Sequence, residues 1–204
     1  MNRQNYTITI TRQFGSLGRP IAKKMAELLD IEYYDRDIVE QAAERLNLPI
    51  SVVDDREESA KSPNTGRFFS MMFPLGKGTN EVQDKIFEAQ QNIIKFVSEK
   101  HPCIIVGRCS DYALQNAPNC THIYIYSSYE NRLDNCIKDL KLSMDEAKRM
   151  IEAVDSARDS YHMTYAGYHP YDPDYKDVMI DSSYLGVDQT AEYLVQLIKR
   201  KYNL

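Results

Sequence analysis

Gly15, Ser16, Leu17 and Gly18 form the stretch of this chain best suited to chemistry. They lie between an alternating β-branched run, Tyr6 to Ile10, and a helical repeat of Ile21, Met25, Leu28 and Leu29. A turn at such a junction offers an anion several backbone N–H groups and the positive end of a helix dipole. Glycines let those N–H groups converge without Cβ clashes. Arg12 and Arg19 flank the turn and add fixed positive charge. Pro20 suits the first helical turn, where its missing N–H has no partner to lose. The chemistry expected is phosphate binding; the alternative is a plain tight turn before a helix.

The usual phosphate loop reads G-x-x-x-x-G-K-S/T. Aligning A-K-K-M-A at 22–26 with the start of the usual helix puts Arg12 at the first Gly, Gly18 at the Lys and Arg19 at the following residue. The Lys that normally meets the transferring phosphoryl group is therefore absent, as is the hydroxyl that normally holds magnesium. Arg19 is the candidate for the lost charge, and Ser16 is the nearby hydroxyl.

The elements that must position this loop alternate between strand and helix. Glu32 to Tyr34 reads as a short strand, followed by a helix with Ile38, Val39, Ala42 and Leu46 that Asp35 caps. Val82, Ile86, Ala89, Ile93 and Val97 mark a long amphipathic helix. C-I-I-V at 103–106 is continuously apolar, as a parallel strand covered on both faces must be. T-H-I-Y-I-Y at 121–126 and D-V-M-I-D at 177–181 are further strands. Ser127 with Glu130 and Ser143 with Glu146 match capping boxes, and Asp188 is expected to cap the last helix. The expected fold is a three-layer α/β/α arrangement with a central parallel sheet of about five strands, plus a helical lid. Residues 1–204 are expected to form a single domain, with a mobile insert around 56–80 and a lid around 141–176.

Composition narrows the class. With 204 residues, 43% apolar and 27% charged, the chain can bury a core without disulfide or metal. A net charge of -5 argues against non-specific binding of nucleic acid or membrane, although local basic residues still suit a small anion. Cys103, Cys109, Cys120 and Cys136 show no C-x-x-C pairing and no zinc spacing, so they read as reduced thiols in or near the core. No signal peptide or membrane-length apolar run is seen, and a cytoplasmic location is expected. F-F-S-M-M-F at 68–73 is a candidate contact surface, compatible with a homodimer.

An ordered set of segments resembles the cytidylate-kinase-like family of P-loop nucleoside-monophosphate kinases. They are T-R-Q-F-G-S-L-G-R-P-I-A-K-K-M-A at 11–26, Y-Y-D-R-D-I at 33–38 and I-F-E-A-Q-Q-N-I-I at 86–94. C-I-I-V-G-R-C-S-D-Y-A-L at 103–114, D-S-A-R-D-S-Y at 155–161 and M-I-D-S-S-Y-L-G-V at 179–187 complete the set. The resemblance implies ATP as phosphoryl donor, with magnesium, and a nucleotide or other phosphorylated small molecule as partner. The family's G-R-D element reads Gly107-Arg108-Cys109 here, so its Arg is kept and its acidic residue lost. Arg108 is then the residue that grips the acceptor. Asp155 and Arg158 match the lid's D-x-x-R element, with Arg158 closing over the phosphates. Arg132 matches a further Arg of the donor site, and Asp35 matches an acidic residue that positions the acceptor or a magnesium-bound water.

The resemblance thus implies Arg19, Arg108, Arg158 and Asp155 as catalytic residues. Arg12, Gly15, Ser16, Leu17, Gly18, Arg19 and Arg132 would hold the donor, and Asp35, Arg108 and Arg158 the acceptor. No metal ligand is assigned. Tyr161, Tyr165, Tyr168, Tyr171 and Tyr175 either cover the site or pack on the sheet edge. The alternative to a kinase is a nucleotide- or phosphate-binding protein on the same fold that turns over weakly or not at all.

Overall fold

The computed structural model describes residues 5–35 and 80–204, with side chains in the second block described from Gln83. The helix expected after Asp35, the insert expected around 56–80 apart from its last residue, and the F-F-S-M-M-F patch lie outside the described residues. Among the described residues, five strands, β1 Thr7–Arg12, β2 Glu32–Tyr34, β3 Cys103–Val106, β4 Cys120–Tyr126 and β5 Val178–Asp181, form one sheet. Its order is β2-β3-β1-β4-β5, and every pairing is parallel. Helices α1 Gly18–Leu29, α2 Asn80–Lys100, α3 Ser110–Ala113, α4 Tyr129–Lys138 and α5 Met144–Ala166 lie between the strands, with a 3-10 turn at Pro173–Tyr175, and α6 Gly186–Tyr202 follows β5. This is the expected α/β fold.

The T-I-T-I-T alternation of β1 explains the layering, because successive side chains point to opposite faces. Ile8 and Ile10 are fully buried with Ile21 and Met25 of α1 and Leu194 and Ile198 of α6. A second cluster joins Cys103 and Ile105 of β3 to Ile93, Ile94 and Val97 of α2. Truncating any of these large aliphatic side chains to Ala costs about 2–5 kcal/mol. A third cluster sets Phe14 among Cys136 of α4 and Ile151 and Val154 of α5, so these helices grip the residue just before the glycine turn. All four cysteines are free and buried.

Two expected caps shift. Helix α4 is capped by Ser128, whose Oγ accepts the Asn131 N–H at 3.3 Å, rather than by Ser127. Ser127 is buried and donates its own N–H to Gln13 Oε1 at 3.1 Å, so it anchors the end of β4 to the loop. Helix α6 begins at Gly186 after Leu185, because Gly186 turns back to the Ser182 carbonyl at 3.0 Å. Asp188 sits instead in the first turn, where it meets the helix dipole and Lys24 at 3.7 Å. The capping box at Ser143 and Glu146 forms as expected.

Candidate phosphate-binding site

Helix α1 begins without the serine cap that α4 and α5 have. Its N-cap, Leu17, is left-handed at φ 58°, makes no side-chain cap, and is followed by no acidic residue in the first turn. A non-glycine residue in that conformation costs about 1–2 kcal/mol and persists where surrounding contacts impose it. Those contacts all hold the loop from behind. Ser16 Oγ donates to the Gln13 carbonyl at 3.0 Å, and Arg132 Nη1 donates to the Phe14 carbonyl at 3.3 Å. Asn135 Nδ2 donates to the Gly15 carbonyl at 2.9 Å, and Ser182 Oγ donates to the Ser16 carbonyl at 2.8 Å. The Phe14 N–H donates to Asp155 Oδ1 at 2.8 Å.

The carbonyls from Gln13 to Ser16 are therefore engaged. The N–H groups of Gly15, Ser16 and Leu17 make no hydrogen bond among the described residues. Gly15 is irreplaceable at this turn: its φ is +79°, and a Cβ there would stand 2.8 Å from the Arg132 carbonyl oxygen. Beside the loop lies a cavity of about 230 Å³ whose lining includes Arg12, Gly15, Leu17, Gly18, Arg19 and Arg158.

Electrostatics reinforces the backbone. Arg19 pairs with Asp35 through Nε at 2.6 Å and Nη2 at 2.9 Å, and Tyr33 OH donates to the same carboxylate at 3.0 Å. Arg132 pairs closely with Asp155, which stands 3.8 Å from Arg158. The shorter contact of Arg158 Nη1 is the Arg12 carbonyl, at 3.0 Å. Burial pushes Arg158 down to about 10 despite Asp155. Burial, then Arg158, push Arg12 down to about 9. Arg19 thus pairs with Asp35, and Arg132 and Arg158 with Asp155, while the Arg12 guanidinium has no ion pair among the described residues, an arrangement that a bound anion would complete.

The remaining expected residues fall elsewhere. Arg108 is buried but does not line the loop cavity, and its carbonyl accepts from Gln91 Nε2 at 3.0 Å. Burial pushes the Tyr161 phenol up while the Arg108 guanidinium pulls it down, so these side chains lie together. Gly107, Arg108 and Cys109 are all left-handed, forming a tight turn at the carboxyl end of β3. Phe87 stacks on Tyr165 at 4.1 Å and meets Tyr161 edge-on at 6.0 Å, while Tyr168 stacks on Tyr175 at 3.6 Å. The tyrosines are thus largely packed against one another and against α2.

Sequence reasoning missed Gln13, Asn135 and Ser182, which hold the loop through backbone contacts that leave no pattern. It also missed a buried cluster around Asp111, which accepts from Tyr168 OH at 3.3 Å, contacts His162 Nε2 at 3.1 Å and pairs closely with Lys176. This cluster fastens the end of α5 and the segment before β5 to α3. Magnesium fits poorly at Ser16 and Asp35 of the loop region. Ser16 Oγ is turned inward, and Asp35 is held by Arg19 and Tyr33.

A parallel sheet whose first strand runs through an anion-ready turn into a helix defines the P-loop kinase class of fold. The chain belongs to the cytidylate kinase-like family, whose model matches residues 7–184. It is similar to the crystal structure of an uncharacterized protein from Eubacterium ventriosum, at 22% identity and TM-score 0.71, covering 95% of this chain and 98% of that one. Shikimate kinase from Acinetobacter baumannii, in complex with shikimate, is similar at 12% identity and TM-score 0.55, covering 98% and 96%. A gluconokinase from Sinorhizobium meliloti is similar at 13% identity and TM-score 0.52, covering 98% of each chain. No curated protein matches the sequence. Among the described residues, no helix is long and apolar enough to cross a membrane.

Proposed function

We propose that this protein is a nucleotide-binding phosphotransferase that moves the γ-phosphoryl group of ATP to a nucleoside monophosphate or a related small acceptor. The observation that carries this reading is the loop itself: its carbonyls are tied back while, among the described residues, the Gly15, Ser16 and Leu17 N–H groups have no partner and guanidinium groups stand beside them. Membership of a kinase-like family supports the same reading.

Phosphoryl transfer rests on alignment and charge neutralisation. The donor's phosphates would accept from the loop N–H groups. Arg158, held against the end of β1 by the Arg12 carbonyl, would neutralise charge on the transferring group. Asp155 would act as a positioning residue, since its oxygens face the Phe14 N–H and Arg132. Asp35 would orient Arg19. Arg108, beside Tyr161, would take the acceptor's charged group, with Phe87 and Tyr165 forming an aromatic wall suited to a planar base. Magnesium would neutralise donor oxygens while carried chiefly by those oxygens and water.

Isothermal titration with ATP, and a coupled assay of ADP release across CMP, dCMP, UMP and simple alcohols including shikimate, test the reading. Binding and ADP release with one of these acceptors are expected. Absence of any nucleotide binding would defeat it. A second reading, binding without turnover, draws on Gly18 at the lysine position and the inward-turned Ser16 hydroxyl. Tight ATP binding with no acceptor-dependent ADP release would favour it.

A further inference from the structure

We propose that Arg12 replaces the missing phosphate-loop lysine, and that residue 18 is glycine because Arg12 occupies the lysine's space. The inference deepens the proposed function and rests on it. Against the usual loop, Leu17 stands at the second Gly and Arg19 at the hydroxyl position, and two further departures are coupled: Arg stands at 12 in place of Gly, and Gly stands at 18 in place of Lys. The structure gives the exchange a steric reason.

Gly18 does not need glycine's backbone freedom, for it is not among the residues of positive φ. A Cβ built on Gly18 would instead lie 2.7 Å from Arg12 Cβ and 2.9 Å from Arg12 Cγ. Arg12 Cβ cannot swing aside, because Arg12 is held in strand register opposite Ile125 of β4. Farther out, a Cβ on Gly107 would overlap Arg12 Nη1. The Arg12 side chain therefore runs from Gly18 to Gly107, across the carboxyl ends of β1 and β3. Ligands of such sheets lie over those strand ends.

Arg19, the cation expected from sequence, is less suited to the role because Asp35 holds it at two points. The Arg12 guanidinium makes no hydrogen bond or ion pair among the described residues. A planar guanidinium there would hold two phosphoryl oxygens at once, where a lysine offers a single mobile charge. A lysine at 18 and an arginine at 12 exclude each other, so placing the lysine requires both changes together.

A double-variant cycle tests this, with ATP-magnesium and inorganic tripolyphosphate as probes in isothermal titration and thermal unfolding as the structural readout. Arg12→Gln keeps the stem and should lower tripolyphosphate affinity by about 10- to 100-fold, the range for a charge-assisted hydrogen bond. Gly18→Lys alone should lower the unfolding midpoint and affinity. Combined with Arg12→Gly, it should recover affinity to within about threefold of the parent protein, a coupling expected only of residues in contact. Gly18→Ala should lower the midpoint in the parent protein and much less in an Arg12→Ala background. If the parent protein binds both probes and Arg12→Gln binds them equally well, the assignment of Arg12 is overturned while the proposed function stands. Equal effects of Gly18→Ala in both backgrounds would overturn the steric half. Failure of the parent protein to bind either probe would overturn the proposed function itself, and this assignment with it.

Discussion

Asp155 accepts the Phe14 N–H at 2.8 Å, joining residues 141 positions apart, and the same carboxylate pairs with Arg132, which itself donates to the Phe14 carbonyl. Helix α5 is thereby tied to the loop. Asp155→Ala should destabilise the protein by about 2–3 kcal/mol. That is somewhat below the 3–5 kcal/mol typical of breaking a fully buried pair, because Asp155 retains contact with water. Urea unfolding measures the loss. ATP affinity should fall with it, and a variant as stable as the parent would contradict the positioning role.

Two glycines of nearly equal φ offer a controlled comparison. Gly15 has φ +79° and a Cβ there would meet the Arg132 carbonyl oxygen at 2.8 Å, whereas Gly167 has φ +80° and nothing within 4 Å. Gly167→Ala should cost about 1–2 kcal/mol through backbone conformation alone and leave ligand binding unchanged. Gly15→Ala should cost more, about 2–4 kcal/mol, and abolish binding, because the steric overlap adds to the same backbone cost. Thermal unfolding and titration calorimetry on both variants check the contrast.

Arg158→Ala should lower kcat/KM by about 10²–10³-fold, the effect of losing one well-aimed charge at a transition state. Affinity for ATP should fall far less, since the loop N–H groups remain. The coupled assay separates the two quantities, and a loss confined to binding would remove Arg158 from the transition state.

Asp111 gives the protein an acid-sensitive joint. Burial works against its charge, but the His162 hydrogen bond and charge, together with Lys176, outweigh it and hold the carboxyl well below the ordinary value of 3.8. A carboxylate whose folded value is depressed stabilises above its unfolded value, and that stabilisation is lost as pH falls toward the folded value. The stability advantage of the parent protein over Asp111→Asn should therefore be fully present above about pH 5 and shrink steadily below pH 4. At neutral pH, Asp111→Asn leaves the fully buried Lys176 ammonium without its counter-charge and should cost about 3–5 kcal/mol. Denaturant titrations of both proteins at a series of pH values provide the test.

Much of the architecture was legible in the chain because its signals are local. The strand at 103–106 was read to its observed limits from four apolar residues in a row, and α2 from the helical spacing of Ile86, Ile93 and Val97. The capping box at Ser143 was also legible, since all its partners lie within one turn. The shifted cap at Ser127 shows where that reading stops. A distant residue, Gln13, takes the Ser127 N–H and moves the helix start by one position.

The sequence by itself determined the alternation of strands and helices, the parallel sheet and the glycine turn at the head of α1, because periodicity and turn chemistry act between near neighbours. Only the tertiary structure decided which carbonyls hold the turn open, that Asp155 braces the loop from behind, and that Arg108 lies with Tyr161 outside the loop cavity. It also decided that Asp35 holds Arg19 while the Arg12 side chain runs between Gly18 and Gly107. These depend on side chains brought together from distant parts of the chain. Charge and steric exclusion act on distance in space, which spacing along the sequence does not encode.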